Sequence, residues 1–396
     1  MEKICVLGLG YVGLPTASLL ATKGYSVSGI DVKQEVVEQI NQGKVHIVEP
    51  DLDVMVKSAV QSGNLKAYIE PQPADIFIIA TPTPFKDNNQ PDLHYVFSAA
   101  KAISKVVKDG DLIILESTSP VGTTEQVREI IVTECPQLSN LYFCHCPERV
   151  LPGRVLHELI DNDRVIGGVD EQSTEKAMEF YQHFVRGELL ETNARTAELA
   201  KLVENTSRDV NIAFANELSI VCDQLGIDVW ELIALANRHP RVNILRPGPG
   251  VGGHCIAVDP WFIVSSAPDA TQLVQTARKI NDSKPDWVID RIADKAKRFK
   301  DPVIGCLGLA YKPDIDDLRE SPALTIAHRL TAMKIGKIIV CEPNVTTVDG
   351  LDLHPLDSLL NKADILVALV GHRQFKRIPM GRLEEKIVLD TCGVWR

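Results

Sequence analysis

The chain opens as an alternation of two textures. Short, continuously apolar runs are separated by helical stretches: "KICVLGLG" (Lys3–Gly10), "YSVSGID" (Tyr25–Asp31), "DIFIIATPTP" (Asp75–Pro84), "DLIILEST" (Asp111–Thr118), "LYFCHCPER" (Leu141–Arg149) and "RVIGGV" (Arg164–Val169). A strand with one wet face alternates apolar and polar residues. An unbroken run predicts burial on both faces, as in a parallel sheet covered by helices. That is the pattern of a doubly wound α/β domain. From about Arg195 the pattern changes. "RTAELAKLVENTSRDVNIAFANELSIVCDQLG" has no proline and no glycine before Gly226, which predicts one long helix opened by Thr196 as N-cap and stopped at Gly226. "DVWELIALAN" and "DATQLVQTARKINDSKPDWVIDRIADKAKRF" continue the helical middle. Near Pro302 strands return as "VIGCLGLA" (Val303–Ala310), "KIIVCEP" (Lys337–Pro343), "DILVALVG" (Asp364–Gly371) and "KIVLD" (Lys386–Asp390), with a helix over Ser321–Met333. The expectation is two Rossmann-like doubly wound domains joined by a central helical domain, divided as 1–192, 193–300 and 301–396.

Composition narrows the class. At 396 residues the chain exceeds what one core fills. With 45% hydrophobic and 24% charged residues it reads as an ordinary soluble globular protein, and it has no apolar run of membrane-spanning length. The start, "MEKICVLGLG", passes directly into a strand, so no signal peptide is expected. Nine cysteines in no regular framework fit a reducing cytoplasm. "CHC" at Cys144–Cys146 has no second ligand pair at zinc spacing, so a buried strand end is expected and no metal. A net charge of −11 argues against nucleic acid as a partner but leaves room for a locally basic site that binds a small anion.

The chemistry lies in the turns and on the long helix. "GLGYVG" (Gly8–Gly13) follows a strand and precedes the helical "LPTASLLATKG". Here Gly8 permits a tight turn, Gly10 lets backbone approach a pyrophosphate, and Gly13 lets the helix pack on the strand. Asp31 closes the second strand about twenty residues on, where a ribose 2′-hydroxyl is held, and its charge favours NAD over NADP despite nearby Lys33. "TPTP" (Thr81–Pro84) and "ESTSPVGTT" (Glu116–Thr124) follow strand ends, where open α/β sheets bind ligands; ordinary turn chemistry is the plainer alternative. Lys201, Asn205 and Arg208 lie at i, i+4 and i+7 on one helical face, which is either a catalytic face or a solvated one. "PGPGVGGHCIAVDP" (Pro247–Pro260) crowds four glycines against Cys255, either as a tight loop around an inert thiol or as backbone brought close to a ligand. "GCLGLAYKPDIDDLRESP" (Gly305–Pro322) is a second strand-to-helix turn without the full glycine fingerprint, carrying Lys312 and Arg319.

Taken in order, "GLGYVG", "TPTP", "ESTSPVGTT", "PER", "RVIGG", "AKLVENT", "GVGGHCIAVDP" and "GLAYKPDIDDLRESP" resemble the UDP-glucose/GDP-mannose dehydrogenase family over essentially the whole chain. The resemblance implies NAD-dependent oxidation of a UDP-sugar C6 alcohol to a carboxylate through two hydride transfers. "PERVLPG", "NRHPRVN" and "GPGVGGHCIAVDPWF" resemble the members acting on UDP-N-acetyl-D-mannosamine, while members acting on UDP-N-acetylglucosamine or UDP-glucose share nearly the same motifs. By resemblance, Cys255 is the nucleophile that carries a thiohemiacetal and a thioester. Lys201 then handles alcohol or oxyanion charge, Asn205 helps hold that oxyanion and a water, Asp259 assists Lys201 or the water, Glu148 serves thioester hydrolysis, and Thr118 lies near nicotinamide and water. Tyr11, Val12, Asp31, Thr83, Thr118 and Arg319 match NAD contacts beside the glycine turn. Arg164, Val165, Lys201, Asn205, Arg208, His239, Arg241, Gly252, Tyr311 and Lys312 match substrate contacts. A homodimer through the central helices is implied, with His239 and Arg241 as residues lent across it. A two-electron hydroxyacid dehydrogenase would leave Cys255 unexplained, and a non-catalytic NAD sensor or scaffold would bind nucleotide without turnover.

Overall fold

The computed structural model describes residues 2–86, 89–151, 153–253 and 255–396. The chain clusters into two compact units, Met1–Glu204 with Trp261–Ala267, and Asn205–Pro260 with Pro268–Arg396.

The first unit is built on one eight-stranded sheet. Its strands are β1 (Lys3–Leu7), β2 (Ser26–Ile30), β3 (Leu65–Tyr68), β4 (Ile76–Ile79), β5 (Leu112–Leu115), β6 (Tyr142–His145), β7 (Arg164–Gly168) and β8 (Leu189–Asn193). They lie in the order β3-β2-β1-β4-β5-β6-β7-β8. The first six reproduce the 3-2-1-4-5-6 order of dinucleotide-binding folds. The continuous apolar runs are explained strand by strand. On β1, Ile4 and Val6 enter one buried cluster, whereas Cys5 and Leu7 enter another on the opposite face. Two features differ from expectation. Strands β3 and β8 are not among the apolar runs, and β6 pairs with β7 antiparallel through Cys144–Gly168 and His145–Gly167. Both missed strands are sheet edges with partly exposed residues, so the two-sided burial signal is weak there.

The second unit holds a four-stranded parallel sheet of β9 (Val303–Leu307), β10 (Lys337–Cys341), β11 (Ile365–Ala368) and β12 (Ile387–Asp390), ordered β10-β9-β11-β12. Again residues alternate between two buried faces, Ile304 and Cys306 on one and Leu307 on the other. The long helix runs Ala194–Leu225. Its cap is Asn193, not Thr196: the Asn193 side chain accepts the Thr196 amide at 2.9 Å. It stops at Gly226, which takes φ +71 while the Ile227 amide returns to the Cys222 carbonyl at 2.8 Å. The helix Gln272–Ala296 carries Pro285 in its interior. A buried polar ladder ties these two helices together. Arg278 pairs with Asp209 at 2.6 Å, Asn281 donates to Asp209 at 2.8 Å, and Asn216 donates to Asn281 at 2.9 Å. Asn216 also accepts the Gly248 amide at 2.9 Å, which anchors the start of the glycine-rich loop.

Candidate active site

In the first unit the turn after β1 is shaped for close approach. Gly8 has φ +93, and a Cβ there would stand 2.7 Å from the Ala80 carbonyl oxygen. A Cβ on Gly13 would stand 1.8 Å from the Gly8 oxygen, so only glycine lets the helix Gly13–Thr22 start this close to the turn. Gly10 is the contrast: nothing lies within 4 Å of a Cβ placed on it. That open space is what a pyrophosphate needs. Asp31, directly after β2, accepts the Leu9 amide at 3.2 Å and the Lys33 amide at 3.0 Å. Tyr11 is exposed, and Val12 is half-buried before the helix. The residues present therefore fit a dinucleotide: a glycine turn, a helix N-terminus and a carboxylate at the ribose position.

The loops after β4 and β5 meet. Thr83 donates through its hydroxyl to the Thr118 carbonyl at 2.7 Å, and Ser117 donates to the Thr81 carbonyl at 2.7 Å. The "ESTSPVGTT" segment is then gripped from the long helix. Glu198 accepts the Gly122 amide at 2.6 Å and the Thr124 amide at 2.7 Å. Behind Glu148 lies a buried charge cluster. Arg164, 5% exposed, donates to Glu148 at 3.1 Å, stands 3.8 Å from Glu116 and covers the Tyr181 ring at 5.1 Å. Burial pushes the Glu116 carboxyl up to about 7, against the pull of Arg164. The Arg164 guanidinium thus faces Glu148 and Glu116, while Val165 is half-buried on β7. Lys201 is half-buried on the long helix. The "CHC" residues are all buried: His145 is pushed down to about 3 and Cys146 up to about 11. No group of three metal-ligating side chains occurs among the described residues.

The second unit carries the cysteine loop. Seven cysteines of the chain are buried and Cys392 is half-buried, whereas Cys255 is exposed. Its carbonyl accepts the Asp259 amide at 2.9 Å at the head of the helix Asp259–Ser266. Asp259 is buried and accepts from the Asn205 amide group at 2.6 Å. The loop glycines pack against protein. A Cβ on Gly252 would stand 2.5 Å from the Glu320 oxygen and 2.9 Å from Tyr311 Cβ, and one on Gly253 would stand 2.8 Å from the Tyr311 ring. On Gly250 it would meet Pro322 at 2.9 Å. The glycines therefore let the loop lie flat on Tyr311 and Pro322. Burial, then Asp317 and Cys255, push the Tyr311 hydroxyl upward in pKa. His254 lies outside the described residues. Lys312, Arg208, His239 and Arg241 are exposed, and the Arg241 amide donates to His239 Nδ1 at 3.3 Å. Arg319 forms a bidentate pair with Asp317. Sequence reasoning did not find Glu342 or His372, a buried pair 3.1 Å apart that bonds backbone amides on either side of Tyr311 and Lys312.

A glycine turn of this kind, at the head of a 3-2-1-4-5-6 sheet with an acidic residue after its second strand, marks the dinucleotide-dependent oxidoreductases. Sequence comparison narrows that class. The NAD binding domain of the UDP-glucose/GDP-mannose dehydrogenase family matches residues 2–185, its central domain 195–283 and its UDP binding domain 305–396. The chain belongs to this family, and it is an NAD-dependent UDP-sugar dehydrogenase. It is 54% identical to the UDP-N-acetyl-D-mannosamine dehydrogenase of Yersinia pestis over 100% of this chain and 99% of that protein. It is also 54% identical to an NDP-N-acetyl-D-galactosaminuronic acid dehydrogenase of Ralstonia nicotianae over 99% of this chain and 96% of that one. The UDP-D-ManNAc dehydrogenase structure from Pyrococcus horikoshii superposes with a TM-score of 0.90 at 38% identity, covering 100% of this chain and 96% of the other. No helix among the described residues is long and apolar enough to cross a membrane.

Proposed function

We propose that the chain oxidises UDP-N-acetyl-D-mannosamine to UDP-N-acetyl-D-mannosaminuronate, a four-electron change at C6 that reduces two NAD. The observation that carries this reading is Cys255, the exposed cysteine, in a glycine-rich loop four residues before Asp259. Gly8, Gly10, Gly13 and Asp31 would hold NAD at the first turn, where it would supply hydride acceptance for both oxidations. The chain does the rest. Lys201 takes the proton of the C6 hydroxyl as the hydride leaves, and with Asn205, one helical turn away, it holds the charge that develops on that oxygen. An aldehyde has no hydroxyl from which a second oxidation can begin. The Cys255 thiolate adds to the aldehyde carbon and makes a thiohemiacetal that can be oxidised to a thioester. Water then attacks the thioester carbonyl, the carbon–sulfur bond breaks, and carboxylate and thiol are released. Glu148, backed by Arg164, takes the water proton, and Asp259 orients Asn205. Tyr311 and Lys312 hold the sugar nucleotide.

We read the division of labour as a cofactor domain over 1–192, a helical middle over 193–300 and a UDP-sugar domain over 301–396. A homodimer through the central helices is part of the reading. Phe214, Val221, Leu225 and Leu235 leave 42–67% of their surface exposed, an apolar set a partner would cover. The Ralstonia relative supports a second reading in which the sugar has the galactosamine configuration. The test is a panel of UDP-sugars assayed for NADH formed per sugar consumed. Two NADH per UDP-N-acetylmannosamine, with slower turnover of UDP-N-acetylgalactosamine, UDP-N-acetylglucosamine and UDP-glucose, is expected. One NADH per sugar would replace the thioester route with a simple alcohol dehydrogenation.

A further inference from the structure

In the second unit the acidic residue that closes β10 engages its turn more fully than Asp31, which accepts the Leu9 amide of the first turn but not that of Gly10. Glu342 is buried, and its Oε2 accepts the Leu309 amide at 2.7 Å and the Ala310 amide at 3.1 Å. Its Oε1 accepts the Asn344 amide at 3.0 Å. His372, itself 1% exposed, accepts the Asp314 amide on Nδ1 at 2.9 Å. The ring hydrogen is thereby on Nε2, which donates to Glu342 Oε2 at 3.1 Å. The segment 309–314 is thus gripped at both ends, by a carboxylate at Leu309 and Ala310 and by an imidazole at Asp314. Tyr311 and Lys312 lie between the grips. Asp314 is held at φ +62, and its carboxylate binds Arg373 at 2.8 Å, which keeps the far end in that turn. Burial alone would raise the Glu342 pKa, yet donation from His372 and the amides of Leu309 and Asn344 outweighs it and lowers it.

We propose that Glu342 and His372 are positioning residues for the sugar nucleotide: they close the second turn's amides to a dinucleotide phosphate and hold Tyr311 and Lys312 ready for UDP. This rests on the assignment of Tyr311 and Lys312 as sugar-nucleotide contacts. A carboxylate that saturates two adjacent turn amides leaves them no donor to offer a phosphate. A loop fixed before binding loses less freedom when the ligand arrives.

Glu342→Gln tests it in the full-length protein. The amide keeps the side-chain shape but has one acceptor oxygen for donors that now surround two. UDP binding by calorimetry should weaken about tenfold, with KM for the UDP-sugar rising in parallel and KM for NAD unchanged within about twofold. Glu342→Asp, which restores a carboxylate like Asp31, should recover part of the loss. His372→Asn, acting at the Asp314 end, should reproduce the UDP effect and serves as the reading if Glu342→Gln does not fold. Wild-type UDP affinity in both Glu342→Gln and His372→Asn, or equal losses for UDP and NAD, would overturn the proposal. Failure of the unmodified protein to bind UDP would instead sink the assignment of Tyr311 and Lys312.

Discussion

The turns after β1 and β9 begin alike and end differently. Gly8 and Gly308 adopt φ +93 and +92. Each donates its amide to the end of the neighbouring strand, Gly8 to Ile30 at 2.8 Å and Gly308 to Cys341 at 2.9 Å. Neither has room for a side chain: a Cβ would meet the Ala80 oxygen at 2.7 Å or the Val370 Cβ at 2.4 Å. Beyond that point the turns part. Where the first reads Gly10 and Gly13, the second reads Ala310 and Pro313. The first enters its helix at Gly13, whereas the second reaches one only at Pro322, capped by the Ser321 hydroxyl. The difference separates two duties that one motif usually merges. The first glycine serves the fold and is kept in both turns. The later glycines bring a helix N-terminus up to a phosphate, and they are present only where the family places NAD.

The comparison is broken most severely at the cysteine. Cys255→Ser should lower uronate formation by at least about a thousandfold, because a serine alkoxide is not available at neutral pH as a thiolate is. NAD affinity, set at the first turn, should remain within about twofold on the same argument of separate duties. Uronate production at the unmodified rate would remove the thioester from the mechanism.

Next in size is Lys201. If it manages developing oxyanion charge, Lys201→Ala should lower kcat about a hundredfold while the fold persists. Lys201→Arg keeps the charge but widens the head group and gives up accessible proton exchange, so it should be nearly as impaired. Recovery of most of the rate by arginine would make Lys201 a fixed charge and move the proton to Asp259 and a water. Full activity of both variants would take the long helix out of the active site.

What could be read from the chain follows from how far apart the interacting residues are. Central strands were legible because two-sided burial writes an unbroken apolar run; "LKAY" and "LLETN" at the sheet edges write none. The long helix was legible from its lack of glycine and proline, yet its cap was misplaced by three residues because both Asn193 and Thr196 are plausible caps. The glycine loop was visible as a cost but not as a contact. Tyr311 and Pro322, which it lies against, come more than fifty residues later in the chain. Arg164 drew attention as a cation in a motif, and only the fold places its guanidinium against Glu148 and Glu116. Glu342 and His372 are thirty residues apart with no spacing rule to join them. Local periodicity reports burial. It does not report which distant partner does the burying.

The smallest effect is the sharpest test of the two-duty reading, and it falls on Gly10. Its backbone is not in the left-handed region, and a methyl would touch nothing in the chain within 4 Å. The second turn already carries that methyl as Ala310. Gly10→Ala should therefore leave the fold intact and, by restricting the unfolded chain, stabilise it by about 0.5 kcal/mol. If the pyrophosphate approaches this backbone, the same methyl should raise KM for NAD about tenfold, with KM for the UDP-sugar unmoved. Thermal unfolding and two substrate titrations read both quantities on one protein preparation. An unchanged KM for NAD would mean that the phosphates are held elsewhere along the turn. A lowered melting temperature would mean that Gly10 serves the fold as Gly8 does. The mirror change, Ala310→Gly, should give the second turn no affinity for NAD, because Glu342 still holds its amides.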